Sequence, residues 1–323
     1  MKKITKAFVM CAGMGTRLRP LTYDTPKPML KILNRPLLAR TIELLREHGI
    51  KDIIINLYLY PSQVKDYFGD GRDFGVNIEY LYEKDLMGTA GGVGRARETL
   101  NETFIVMSGD GLLDLDLSDV IKSHKKNNSI ATIVLKRYNT KFKYGVVFAD
   151  EKTNKIEWFR EKPELKDIYE NRINTGVYVF EPEIFDYIPK GKFYDFGHDV
   201  WPQIMKQNLP IYAYEMKSYW CDIGDIDAYR SAQFHALDNA TSVSDNKYFF
   251  GQNCNISANV YLEENNVLGD NCIIGENVTL KNSIIGNNVC IQRNVELNNC
   301  IIMDNIEIKE NTKLFGGIMI NKK

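Results

Sequence analysis

Apolar and polar positions follow two rhythms along this chain. Up to about residue 137, short β-branched runs alternate with stretches whose apolar residues recur every three or four positions. The runs at 6–11, 52–56, 77–81, 103–107 and 129–136 predict strands, and 36–48, 61–68, 89–99 and 117–127 predict helices. Such alternation builds an α/β domain on a mostly parallel sheet with helices on both faces, and any ligand then sits at the carboxyl ends of the strands. From 144 to about 222 strand signals dominate, at 144–149, 155–159, 173–180 and 211–220. A helix over 197–207 interrupts them. This region reads as an extension of the same domain that closes one side of a cleft. A helix over 225–238 then leads into a polar connector at 239–250.

The second rhythm has a period of six. Ile256, Leu262, Leu268, Ile274 and Leu280 begin it, and Ile285, Ile291, Leu297 and Met303 continue it after a one-residue slip. Ile308, Leu314 and Ile320 end it, with Asn, Gly and Asp between. An inward aliphatic residue at every sixth position predicts a left-handed parallel β-helix built from hexapeptides. Cys254 and Cys272 are one three-hexapeptide coil apart and should stack, whereas Cys290 falls outside that phase. The expected layout is an α/β domain over 1–238, a connector over 239–250 and the β-helix over 251–323.

Composition narrows the function classes. The 323 residues carry a net charge of −1, so there is no electrostatic case for a nucleic-acid or anionic-membrane partner. No apolar run is long enough to span a bilayer, and no signal-peptide pattern is present. The six cysteines form no CxxC pair, which favours free thiols in a reducing compartment over disulfides or zinc. The expectation is a cytoplasmic protein.

The chemistry concentrates where the first strand ends. Residues 9–30 read VMCAGMGTRLRPLTYDTPKPML. Gly13 and Gly15, flanking one residue, let backbone N–H groups converge on an anion with no Cβ in the way. Arg17 and Lys27 add positive charge, and Pro20, Pro26 and Pro28 stiffen the loop. Leu18 stands where a dinucleotide fingerprint needs its third glycine, and the Gly-Lys-Ser/Thr of a P-loop is absent. Two acids are candidates for a hard cation. Asp110 ends the turn after the strand at 103–107, and by residue type alone it is equally a turn cap. Asp222 lies in the run YWCDIG, where an unpaired buried carboxylate would cost on the order of 2–7 kcal/mol. Mg²⁺ would serve both. Asp114 and Asp116 read as loop or cap residues. The four histidines show no metal-ligand spacing.

The string GMGTRLRPLT followed by Pro26, Lys27 and Pro28 resembles the signature of the sugar-1-phosphate nucleotidyltransferases, and most closely their mannose-1-phosphate guanylyltransferase branch. The resemblance covers essentially the whole chain. It implies a Rossmann-like fold joining an NTP to a sugar 1-phosphate, with release of pyrophosphate. Arg17 and Lys27 would neutralise the triphosphate beside Gly13, Gly15 and Thr16, with Mg²⁺ shared by Asp110 and Asp222. The EKP run places Lys162 on the sugar phosphate and Glu161 on sugar hydroxyls, with Gly145, Asn174 and Thr175 on the sugar side.

The run LMGTAGG at 86–92 resembles the family's PLGTAG. In it Gly88 would let the backbone meet the base, although Leu86 and Met87 replace Pro and Leu. Glu83, five residues earlier, would accept from the adjacent N1–H and N2–H₂ of guanine, where uracil or thymine presents a carbonyl. The favoured substrates are therefore GTP and mannose 1-phosphate. Thymidylyl, uridylyl or adenylyl transfer to glucose 1-phosphate and a non-catalytic regulatory subunit are the alternatives. An acyltransferase role for the β-helix lacks a histidine base, since none follows His235. The β-helix is instead expected to make a homo-oligomer through its exposed strand edges.

Overall fold

The computed structural model describes residues 4–138, 144–164, 170–240 and 247–321; the connector residues 241–246 lie outside them. The chain forms two compact units, Met1–Met14 with Leu38–Asp222, and Gly15–Leu37 with Ile223–Lys323.

The first unit is built on a mixed sheet. Its parallel centre runs in the order Phe104–Ser108, Lys6–Cys11, Asp52–Leu57, Asn77–Tyr82. The first strand in the chain is therefore flanked on both sides, and the strand order reverses there. Ala7, Phe8 and Val9 are fully buried in it, as expected for a strand covered on both faces. The long strand Arg172–Phe180 lies antiparallel to Phe104–Ser108 and also pairs with Ala131–Arg137 and Val146–Ala149. The strand-rich extension thus belongs to the same sheet. The predicted strand 211–220 divides into Ile211–Met216, parallel to Ala131–Arg137, and Trp220–Asp222, which leaves the sheet for a two-stranded ribbon with Gly111–Leu113.

Helices Leu37–Glu47, Pro61–Phe68 and Leu117–Lys126 form where periodicity placed them. Asp116 caps the last of these, accepting from the N–H groups of Ser118 and Asp119. The helix expected over 89–99 runs only from Gly88 to Gly94. Glycine is a poor helix former, and packing dictates its use here. A Cβ on Gly91 would lie 2.6 Å from the Lys192 carbonyl oxygen, and one on Gly94 would lie 2.8 Å from Ile188. An aromatic cluster of Tyr178, Phe180, Phe196 and Trp201 fills the core beneath the extension, with Phe196 stacked on Trp201 at 5.4 Å.

The second unit is a left-handed parallel β-helix together with the segment 15–37 and helix Ile226–Asp238. Its strands stack into three parallel ladders. The inward residues are Ile256–Ile274–Ile291–Ile308, Leu262–Leu280–Leu297–Leu314 and Leu268–Ile285–Ile302–Met319. This corrects the expected phase at two positions: Ile302 and Met319 face inward rather than Met303 and Ile320. After the first coil, each turn loses one residue at its third corner, so the short steps fall at Leu280–Ile285, Leu297–Ile302 and Leu314–Met319 rather than at Met303–Ile308.

The corners explain the asparagines. Asn271, Asn288 and Asn305 all have φ between +54° and +62°, a left-handed conformation that Asn tolerates best after glycine. Their side-chain amides hydrogen-bond from coil to coil, Asn271 to Asn288 at 3.0 Å and Asn288 to Asn305 at 2.9 Å. Cys254 and Cys272 do stack, donating to the Gly269 and Gly286 carbonyls in turn, and Cys290 instead pairs with Ile273 and Glu307. All six cysteines are free thiols. The polar connector expected to reach residue 250 ends earlier, because Tyr248–Phe250 is a strand that extends the third ladder. Among the described residues no helix is long and apolar enough to cross a membrane.

Candidate active site

The carboxyl ends of the four parallel strands frame a cleft of about 280 Å³. Four residues singled out by sequence line it: Gly13, Glu83, Gly88 and Asp110. Four others were not foreseen: Asn56, Thr89, Phe193 and Asp195.

Asp110 is fixed by its turn. Gly109 N–H donates to the Met10 carbonyl at 3.0 Å, drawing the turn against the first strand. A Cβ on Gly109 would fall on the Cys11 sulfur and lie 3.1 Å from Val9 Cγ1. Only glycine lets Asp110 come this close. Ser108 Oγ donates to Asp110 Oδ1. Burial, with the Asp110 charge added, raises the Cys11 pKa well above the ordinary thiol value, so the sulfur stays a neutral filler.

Asp222 arrives through the ribbon. Its register partner is Gly111, which puts it next to the residue that follows Asp110. The ribbon is secured by the Asp114 N–H bond to the Tyr219 carbonyl at 3.0 Å and by Lys136 Nζ, which donates to the carbonyls of Lys217 and Ser218. Asp222 is only half-buried, not enclosed as its apolar neighbours implied. Among the described residues no three His, Cys, Asp or Glu side chains gather as a metal cage. What the ribbon establishes is backbone proximity: Asp222 is in register with Gly111, the residue after Asp110.

The base-side loop is held from within. Glu83 is 7% exposed; its Oε1 accepts from Asn56 Nδ2 at 2.8 Å and its Oε2 from the Met87 N–H at 3.0 Å. Gly88 has φ +72°, and a Cβ there would meet the Tyr194 carbonyl oxygen at 2.5 Å, so the close turn needs glycine.

A second polar group surrounds Glu161. Gly145 and Gly197 pack against its carboxylate, and a Cβ on either would come within 2.8 Å of Oε2. Burial is the main force raising the Glu161 pKa; Lys162 and His198 oppose it and Asp195 adds to it. Lys162 Nζ stands 3.7 Å from Glu161 Oε1, and its φ of +42° is a strained choice for lysine. Asp195 links this group to the cleft. It caps the helical turn Phe196–Val200, accepting from Gly197 and His198 N–H, and it accepts from Thr89 Oγ1 at 2.9 Å.

Asn174 donates to the Tyr178 hydroxyl, accepts from Gly176 N–H, and bonds through its own N–H to the Gly145 carbonyl. Thr175 is buried and spends its hydroxyl on the Val134 carbonyl, while its own carbonyl accepts from Trp220 Nε1. Its contribution is to hold the sheet to the ribbon that carries Asp222.

Gly15, Thr16, Arg17 and Lys27 belong to the second unit. Gly15 has φ +61°, and its carbonyl accepts from Thr22 Oγ1 at 2.7 Å, which closes the turn. Thr16 and Arg17 are exposed, whereas Lys27 is buried in the short helical turn Lys27–Met29. The base of this loop is clamped by Gln233, which donates to the Lys31 carbonyl at 2.7 Å and accepts from the Leu33 N–H at 3.0 Å.

Of the unforeseen residues, Asn56 had a signal, being the lone polar side chain in the buried run Ile53–Leu57. Asp195 also had one, as a helix-capping acid in FYDFGHD. Phe193 had none.

Comparison with known proteins places the chain in a family. The nucleotidyl transferase family matches residues 6–239, and the EIF2B subunit epsilon LbH domain matches residues 227–323. A UTP–glucose-1-phosphate uridylyltransferase of Synechocystis sp. is 41% identical over 241 residues, which is 70% of this chain and 62% of that protein's length. Mannose-1-phosphate guanylyltransferase 1 of Arabidopsis thaliana is 30% identical over 280 residues, 85% of this chain and 76% of the relative. The solved structure of HddC from Yersinia pseudotuberculosis superposes with a TM-score of 0.62 at 26% identity, covering 71% of this chain and 98% of that one. The chain belongs to the nucleotidyl transferase family, and its named relatives are sugar-1-phosphate nucleotidyltransferases.

Proposed function

We propose that this protein makes an NDP-sugar and pyrophosphate from a nucleoside triphosphate and a sugar 1-phosphate, with GTP and mannose 1-phosphate as its preferred pair. The observation that supports the reading is that Asp110 lines a cleft with Gly13, Glu83 and Gly88, while Asp222 is in register with Gly111, the residue after it. The donor set fits Mg²⁺, which takes one or two carboxylates and leaves its remaining positions to water and substrate phosphates. Bound there, the ion would neutralise phosphate charge.

The chain's own residues do the rest by positioning and charge, which is most of what phosphoryl-type transfer requires. Lys162 holds the sugar phosphate so that its oxygen attacks the α-phosphorus in line with the departing pyrophosphate. Glu161 and Asn174 orient the sugar by its hydroxyls, Gly145 leaves room for the ring, and Thr175 braces the strand beneath. Gly13, Gly15 and Thr16 offer backbone amides, and Arg17 and Lys27 the positive charge, that a triphosphate needs. No covalent enzyme intermediate is required.

Glu83 supports the guanine preference by its acidic acceptor, and a related HddC structure is described as complexed with GMP-PN. The Synechocystis relative supports UTP and glucose 1-phosphate as the second reading. A panel of four nucleoside triphosphates against mannose, glucose and heptose 1-phosphates, read by pyrophosphate release, decides between them. GTP with mannose 1-phosphate should give the highest kcat/KM. Dominance of UTP or dTTP removes the base assignment, and no release with any pair removes the enzyme.

The β-helix gives the second unit a self-association role in this reading. Its last coil leaves Phe315 60% exposed and Ile318 and Met319 half-buried. A monomer by light scattering would refute that role.

A further inference from the structure

We infer that Asn56, rather than Glu83 alone, is the residue that sets which base the cleft accepts. The inference rests on the proposed nucleotidyl transfer. Glu83 has no freedom in its choice of partners. One oxygen takes the Asn56 Nδ2–H at 2.8 Å and the other takes the Met87 N–H at 3.0 Å. Both neighbours are donors, so both atoms of residue 83 that face them must be acceptors. A carboxylate meets that demand, and a glutamine amide in either orientation sets an NH₂ against an N–H.

Asn56 is fixed in turn. Its Oδ1 accepts the Cys11 N–H at 2.8 Å, which forces the amide to present Nδ2 to Glu83. At 4% exposure it is almost closed off from solvent, which holds it to these partners. Gly92 makes room for the pair, since a Cβ there would lie 2.8 Å from Asn56 Nδ2 and 2.9 Å from Glu83 Oε1. The backbone amide of Cys11, where the first strand ends, thus dictates the polarity of Asn56. Asn56 dictates an acceptor at residue 83, and the lone pairs of Glu83 left over are what the cleft offers to a base. Glu83 also pins the Met87 amide, so the same relay sets the height of the Gly88 turn.

The relay makes a reciprocal prediction. In E83Q a donor–donor clash arises with Asn56 or with Met87. In N56D/E83Q the clash is relieved, because the carboxylate introduced at position 56 keeps one oxygen for the Cys11 N–H and accepts from the new amide with the other. The amide's remaining N–H then faces the cleft as a donor, which suits the carbonyl of uracil or thymine.

The test is nucleotide binding by titration calorimetry with GTP and UTP, using wild type, N56D, E83Q and N56D/E83Q, with each melting curve recorded. N56D should lower the GTP-over-UTP affinity ratio roughly tenfold, the scale of one hydrogen bond to a charged group. The double variant should melt above E83Q and bind UTP better than either single variant. An unchanged ratio in N56D together with additive melting shifts in the double variant would overturn the inference, even if E83Q alone alters the ratio. If E83Q also leaves the ratio unchanged, the base-reading role of Glu83 fails as well. A variant that does not fold is replaced by N56S, which loses both arms without adding charge and should lower the same ratio.

Discussion

Gly109→Ala should disable the site by moving one acid. The alanine methyl would overlap the Cys11 sulfur and sit 3.1 Å from Val9 Cγ1 and 3.3 Å from the Met10 carbonyl oxygen. The sulfur belongs to a buried strand residue, and the carbonyl is tied to Gly109 N–H, so neither can yield freely. Overpacking of this kind costs about 1–3 kcal/mol, which in a domain of this size lowers Tm by roughly 2–10 °C. The turn carrying Asp110 must shift outward, so pyrophosphate release should fall further than stability does. Cys11→Ala removes the sulfur and costs about 1 kcal/mol as a small cavity. In C11A/G109A the new methyl occupies the vacated space, so the double variant should be more stable than the sum of the two singles by about 1 kcal/mol or more. Thermal and urea melts of the four proteins measure this directly. Additive losses, or a G109A protein as stable and active as wild type, would refute the packing argument.

Three further outcomes follow from other parts of the molecule. His124 is buried against Thr132 and Glu181, and burial lowers its pKa. The unfolded chain therefore binds the proton first, so stability is present above about pH 6.5. It falls as pH drops below that value towards the lowered folded pKa; melts from pH 8 to 5 should show the slope, and H124Q should flatten it. Glu161, with its pKa raised by burial and pulled back by Lys162, should lose its grip on the sugar at a pH above the ordinary glutamate value. KM for the sugar phosphate should rise there, and at higher pH still in K162M, while nucleotide KM stays level. Asn288→Ala loses both ladder bonds and places alanine in the left-handed region, costing about 1–2 kcal/mol for the backbone alone. Asn288→Gly keeps the backbone and should recover part of the loss, measured as hydrogen exchange at the neighbouring corners.

The fold was legible because its periods are unambiguous. A buried strand ending in Gly13 and Gly15, and aliphatics six apart from Ile256 onward, each admit few architectures. What escaped the sequence was phase and partnership. The recurring five-residue corner, which turns Ile302 inward in place of Met303, requires knowing which asparagine takes the left-handed corner at each turn. The helix cut short at Gly94 reflects close approach to Lys192 and Ile188, far along the chain. The candidate acids were visible as a turn and a YWCDIG run, but the register of Asp222 with Gly111 belongs to a ribbon that no local pattern encodes. Asn56 and Asp195 act through hydrogen bonds to residues distant in sequence, so their residue types stood out only weakly and their roles not at all.

The most direct test of the central claim is the Mg²⁺ dependence of pyrophosphate release in wild type, D110N and D222N. If the two acids hold one ion, each substitution should lower kcat by about a hundredfold or more, raise the Mg²⁺ concentration needed for half-maximal rate, and leave the melting curve near that of wild type. Release within twofold of wild type in either variant, with an unchanged Mg²⁺ curve, would contradict it.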